Sequence, residues 1–140
     1  MEFLRTSQTF PFSAAVVHTG SVMEAVPVGI PPGESKPAVG GAAAEMKEIF
    51  RQYDELLEQI GLEKTATASV RLYLQNIVSD IAEVNMVYRE YFQSHPPNRR
   101  AYGVDLQTGM LVEAAFTVEI PERSLNSFQR RPSARKCSSI

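Results

Sequence analysis

Arg99 and Glu113 are the two residues of this chain best placed to do chemistry together. A guanidinium presents a planar fork that grips a carboxylate at two points, which a lysine ammonium cannot reproduce. A carboxylate beside it can orient a water molecule and take its proton. Arg99 follows His95-Pro96-Pro97-Asn98, whose prolines fix φ and remove backbone donors, so this segment can neither continue a helix nor pair as a central strand. From Arg99 the residue types alternate, with Tyr102, Val104 and Leu106 on one side and Arg99, Ala101 and Gly103 on the other. Met110 to Ile120 alternates too, setting Met110, Val112, Ala114, Phe116, Val118 and Ile120 against Glu113, Ala115 and Thr117. If both apolar sides pack on one helical layer, Arg99 and Glu113 project together from the opposite face and frame a pocket for a small carboxylic acid. Plainer roles compete: Arg99 as an interfacial ion-pair residue, Glu113 as its structural partner, and Arg100 in place of Arg99 if a bulge shifts the register.

These strands need a scaffold, and the rest of the chain supplies one. Glu2 to Phe12 suits an edge strand, and Ala14 to Val22, apolar or small on both sides, suits a strand covered on two faces. Prolines and glycines between Met23 and Gly41 forbid a long regular element there. That loop lacks both the lysine-Ser/Thr ending and the glycine spacing of phosphate-binding loops. From Ala42 a helix is written by Met46, Ile49, Phe50, Tyr53, Leu56, Leu57 and Ile60, with Gly61 placed to end it in a left-handed cap. Its polar face is rich in glutamate, which favours core packing over an anionic membrane surface. Thr65 to Leu74 alternates as a strand, with Ala66, Ala68, Val70, Leu72 and Leu74 on one face and Thr65, Thr67, Ser69, Arg71 and Tyr73 on the other. A second helix is expected over about Asp80 to Phe92, with Ser79 as N-cap and Ile81, Val84, Val87, Tyr88 and Tyr91 buried.

The order strand, strand, helix, strand, helix, strand, strand predicts an α+β fold, one sheet with two helices on one face. The other face would carry Val17, Thr19, Thr67, Ser69, Tyr73, Ala101, Ala115 and Thr117, too apolar for full solvation, and a further copy of the chain is the simplest cover.

At 140 residues there is room for one domain, residues 1–120, and a basic, flexible tail, residues 121–140, of net charge +4 against −6 for the rest. The tail could serve as an electrostatic arm for RNA or an acidic partner, but an untethered extension is the favoured reading, and nucleic acid is not the expected partner. One cysteine, Cys137, excludes an internal disulfide, and the two histidines, His18 and His95, have no ligand-like spacing, so no metal is expected. Neither a membrane-spanning run nor a signal peptide is recognisable, which points to the cytoplasm.

Several landmarks in order resemble the RidA family, also called YjgF/YER057c/UK114. They are Thr19-Gly20-Ser21, Leu56-Leu57-Glu58-Gln59-Ile60-Gly61-Leu62, Ala68-Ser69-Val70-Arg71-Leu72-Tyr73-Leu74, Val84-Asn85-Met86-Val87-Tyr88 with Tyr91-Phe92, Pro97-Asn98-Arg99, and Val112-Glu113. The resemblance spans roughly Ala14 to Ile120. It implies a chorismate-mutase-like fold assembled as a homotrimer with clefts between subunits. It further implies a carboxylate-binding arginine at Arg99, a water-associated glutamate at Glu113, and substrate contacts near Thr19, Gly20 and Ala101. The family's Gly-Pro-Tyr near the N-terminus has no counterpart, Ser21 stands where glutamine is common, and Pro97-Asn98-Arg99-Arg100 replaces Pro-Ala-Arg-Ser.

The implied activity is cofactor-independent hydrolytic deamination of small 2-imino or enamine acids, such as 2-iminopropanoate, to 2-oxo acids and ammonia. Alternatives from other classes are a pathway deaminase of larger unsaturated amino acids resembling 2-aminomuconate, and a non-catalytic metabolite-binding or chaperone-like trimer. Ribonuclease activity finds no His/Lys pair suited to acid-base work on RNA.

Overall fold

The computed structural model describes residues 2–6, 13–17, 22–107 and 109–121. Its strands are β1 (Glu2–Thr6), β2 (Ser13–Val17), β3 (Val22–Ala25), β4 (Thr67–Leu74), β5 (Asn98–Gly103) and β6 (Val112–Glu119), and its helices are α1 (Gly41–Gln59) and α2 (Ile77–Phe92). They form the expected α+β architecture, with the six strands in one sheet ordered β1-β2-β3-β6-β4-β5. β3 was not foreseen: Val22–Ala25 takes up the start of the segment read as loop and pairs antiparallel with β6. Only β4 and β5 run parallel among the recorded pairs, and α2 is the crossover that such a pair requires.

Both helices bury their apolar stripes on the same face of the sheet. Met46, Ile49, Phe50, Tyr53, Leu56 and Leu57 of α1 and Val84, Val87 and Tyr88 of α2 join Val70, Leu72 and Leu74 of β4 and Val112, Ala114, Phe116 and Val118 of β6 in one cluster. Aromatic rings tie the layers together: Tyr53 stacks on Phe116 with centroids 3.9 Å apart, and Phe50 stacks on Tyr91 at 3.8 Å. The Tyr53 hydroxyl shares a buried hydrogen bond of 2.6 Å with Thr67 Oγ1.

Helix ends show how the chain satisfies its orphan backbone groups. At the start of α1, Gly40 caps with φ 126° and no side chain, so the Ala43 N–H is satisfied from another helix, donating to Glu83 Oε2 of α2 at 3.0 Å. At its end Gly61 adopts φ 71°, while Gly61 N–H donates to the Glu58 carbonyl and Leu62 N–H to the Leu57 carbonyl, the left-handed cap expected from the sequence. α2 starts earlier than expected. Its N-cap is Asn76, and Ser79, expected in that role, lies within the first turn with its Oγ donating to the Asn76 carbonyl at 3.2 Å. Strand β4 also departs at its beginning. Lys64–Ala66 is a short 3-10 turn, and a register shift between Thr67 and Ser69 buries Thr67 and exposes Ala68, reversing the alternation expected there.

Among the described residues, no helix is long and apolar enough to cross a membrane. Residues 122–140, expected to form the tail, lie outside the described residues, as do Thr19 and Gly20.

Candidate active site

The register of the sheet decides where each candidate side chain points. Arg99 lies beside Val70, which lies beside Phe116, and these two are each 1% exposed beneath the helices. Glu113 lies beside Tyr73, on the face away from the helices, in line with Ala115 and Thr117. Arg99 and Glu113 therefore leave the sheet on opposite faces, with β4 between their strands. The expectation that one protomer presents them on a shared face is overturned.

Size rather than hydrophobicity turned β5 over. The first turn of α2 presses on the end of this strand, and a Cβ built on Gly103 would meet Ile77 Cγ2 at 2.7 Å. At the end of β5 next to the first turn of α2 only a small residue fits, so the side bearing Gly103, Ala101 and Arg99 is turned toward α2, and Ala101 packs partly buried against the core. Tyr102, read as inward, is instead 38% exposed and stacks on Tyr73 of β4 with centroids 5.5 Å apart.

Arg99 is held firmly where it lies. Its Nη1 donates to Asn85 Oδ1 at 2.7 Å, and its Cζ stands 4.8 Å from the centroid of the Tyr88 ring, with both partners on α2. A cation over an aromatic face is attracted by the ring quadrupole, and a side chain so clamped loses less freedom when it binds a ligand. Burial pushes the Tyr88 hydroxyl up to about 12, while the neighbouring Arg99 charge acts in the opposite direction. Sequence reasoning assigned Tyr88 a packing role on the inner side of the helix and named Asn85 only as a landmark; the signal for their joint role was the three-residue helical spacing that sets the two on one face.

The open face carries a different set. Arg100 lies beside Arg71, and Arg71 beside Ala115, one row from Tyr73 and Glu113. No bulge was needed to bring Arg100 to the side of Glu113, because the whole strand is inverted relative to the reading from alternation. Glu113 and Tyr73 line a cavity of about 240 Å³ whose other walls include Val26, Val28, Ile30 and Met110.

One buried residue of α1 holds two of those walls. Glu45, 2% exposed, accepts the Leu111 N–H at Oε1 (2.9 Å), next to Met110. Gly29, between Val28 and Ile30, lies so close to Glu45 that an added Cβ would stand 2.8 Å from Glu45 Cβ. Burial raises the Glu45 carboxyl above its usual range, opposed by the backbone N–H groups of Leu111 and Val112 and assisted by Asp80. Gln52, one helical stripe further, donates from Nε2 to the Ile30 carbonyl at 2.8 Å. Sequence reasoning passed over both; the available signal was their place at positions 45 and 52 on the buried stripe with Ile49 and Leu56. Among the described residues, no group of His, Cys, Asp and Glu could hold a metal ion.

A single sheet backed on one side by two helices, with a parallel β4-α2-β5 unit at its edge, puts this chain in the RidA class of α+β folds. It shares that fold with the RidA of a Psychrobacter species (TM-score 0.72, 22% identity, covering 81% of this chain and 92% of that one). The YjgF gene product of Escherichia coli is similar as well (TM-score 0.69, 18% identity, 79% and 89% covered). Residues 5–120 match the family described as Endoribonuclease L-PSP, and the chain belongs to that family. Among its relatives is a human protein named 2-iminobutanoate/2-iminopropanoate deaminase, 31% identical over 94 residues, which are 67% of this chain and 68% of that protein. The bovine protein of the same name is 33% identical over the same length. A RutC family protein of Aquifex aeolicus is 32% identical over 96 residues, 67% of this chain and 75% of its own length.

Proposed function

We propose that this protein hydrolyses reactive 2-imino acids and their enamine tautomers to 2-oxo acids and ammonia, without a metal or organic cofactor. The observation that carries the reading is the clamping of Arg99: Asn85 and Tyr88 hold its guanidinium in place, as a preformed anchor for a substrate carboxylate. The names of the human and bovine relatives support the same chemistry.

In this reading Arg99 binds the carboxylate and Glu113 orients the attacking water. Water adds to the carbon of the protonated imine and gives up one proton to Glu113, forming a carbinolamine. Glu113 returns that proton to the nitrogen, and as the C–N bond breaks the hydroxyl loses its own proton, so that ammonia leaves behind a 2-oxo acid. Imines of this kind hydrolyse unaided, so orientation is the main service required of the protein. Thr19, Gly20 and the Ala101 backbone complete the substrate contacts. Because Arg99 and Glu113 occupy opposite faces, one substrate meets both only where one protomer lays its β5 edge against the open face of the next. A homotrimer with clefts between subunits supplies that arrangement, and it also covers the half-exposed Tyr102, Val104 and Val26.

The test couples a pyridoxal-phosphate dehydratase acting on serine or threonine to this protein and follows 2-oxo acid release. Wild type accelerates release, and Arg99→Lys lowers kcat/KM by at least about tenfold, since lysine cannot make the two-point contact. Absence of acceleration by wild type overturns the reading. If Arg99→Lys matches wild type while Arg100→Lys is impaired, the anchor is the arginine on the face of Glu113.

A further inference from the structure

We infer that the cavity beside Glu113 is a side-chain pocket that selects 2-imino acids with bulky, uncharged, apolar side chains over those with a methyl or an acidic side chain. This rests on the deaminase reading above and narrows its substrate class.

Shape and wall chemistry carry the argument. The cavity measures about 240 Å³, so the methyl of 2-iminopropanoate would leave much of it unfilled. Val26, Val28, Ile30 and Met110 make most of its wall apolar, and Ala115 keeps its floor low beside Glu113. The polar side chains on its lining are Glu113, Tyr73 and Gln107. A substrate whose reacting carbon sits at Glu113 therefore directs its side chain against hydrocarbon. A branched four-carbon chain fits this space and removes apolar surface from water. A side-chain carboxylate would enter the same space against the charge of Glu113, and no basic residue of the same protomer lines the cavity.

The walls are also built to keep their form. Gln52 fixes the Ile30 carbonyl, the Ala38 N–H donates to the Gly29 carbonyl at 2.8 Å, and Glu45 holds Leu111 beside Met110. A preformed apolar pocket gains more from a fitting ligand than one that must be ordered on binding.

The experiment compares imines generated in situ from alanine, leucine and glutamate by amino acid oxidases, with semicarbazide trapping whatever imine survives. Each rate is corrected for uncatalysed hydrolysis. The leucine-derived imine is expected to exceed the alanine-derived one in kcat/KM by at least about tenfold, and the glutamate-derived imine to fall below both. Filling the cavity with Val28→Phe should bring the leucine-to-alanine ratio down toward one. A wild-type ratio at or below one with the alanine-derived imine active, or a ratio unmoved by Val28→Phe, overturns the pocket assignment and leaves the deaminase reading standing. No acceleration of any of the three imines overturns both.

Discussion

Replacing Gly103 by alanine tests the strand orientation on which the site depends. Gly103 has no left-handed φ, so alanine there ordinarily stabilises a protein by about 0.4–1 kcal/mol through the unfolded chain. Here the new methyl would stand 2.7 Å from Ile77 Cγ2 and 3.4 Å from Ile77 Cβ. The β-branched Ile77 has little torsional freedom within a helix, so the overlap must move α2 or the strand, at about 1–3 kcal/mol. The net expectation is a loss of about 1–2 kcal/mol, or several degrees in Tm for a chain of this size. In an Ile77→Ala background the obstacle is gone, and the same Gly103→Ala change should turn neutral or mildly stabilising. Urea unfolding of the four proteins at one fixed protomer concentration gives the coupling between the two sites, expected at about 2 kcal/mol. If Gly103→Ala is neutral or stabilising with Ile77 in place, Gly103 points away from α2. Arg99 shares its side of β5, so the inversion of that strand would then be refuted.

Tyr88→Phe removes a buried hydroxyl that has no hydrogen-bond partner among the described residues while leaving the ring under Arg99; it should raise the urea midpoint by the equivalent of about 1 kcal/mol. A fall of that size instead would mean that a neighbouring protomer satisfies the hydroxyl. Glu83→Ala deprives the Ala43 N–H of its acceptor and should cost about 0.5–2 kcal/mol, measured as a lower thermal midpoint; no change would mean that the cap is made otherwise. Glu45 gives a pH signature. Its carboxyl titrates above the usual 4.5, so the folded state binds a proton more tightly than the unfolded chain does, and stability falls as pH rises upward from that value. Urea midpoints taken between about pH 4 and 8 should show a decline in wild type that is smaller in Glu45→Gln; parallel curves would rule out Glu45 as its source.

Much of the fold was legible because its signals are local and redundant. The α1 stripe, the Gly61 cap and the inner residues of β6 each follow from period and turn chemistry, and each lies where expected. What the sequence hid depends on contacts distant along the chain. Nothing local distinguishes Tyr102 facing in from Tyr102 facing out; Ile77, on another element, decides it by excluding any side chain at Gly103. Asn76 rather than Ser79 capped α2: the two residue types cap about equally well, so the packing that seats Ile77 decides between them. For the candidate site, alternation correctly put Glu113, Ala115 and Thr117 on the open side of β6, and failed for β5 because size overrode polarity there.

β5 ends the sheet, and its outer rim offers main-chain groups onto which another strand could be zipped. Consecutive arginines on such a rim would repel a like rim approaching in register, so Arg99 and Arg100 are expected to discourage stacking of chains into fibrils. Stripping both to alanine in order to silence catalysis would remove that repulsion along with any anchor. Insoluble protein from such a variant would then report on colloidal behaviour and say nothing of turnover, which is why charge-preserving lysine is the more informative replacement at either position.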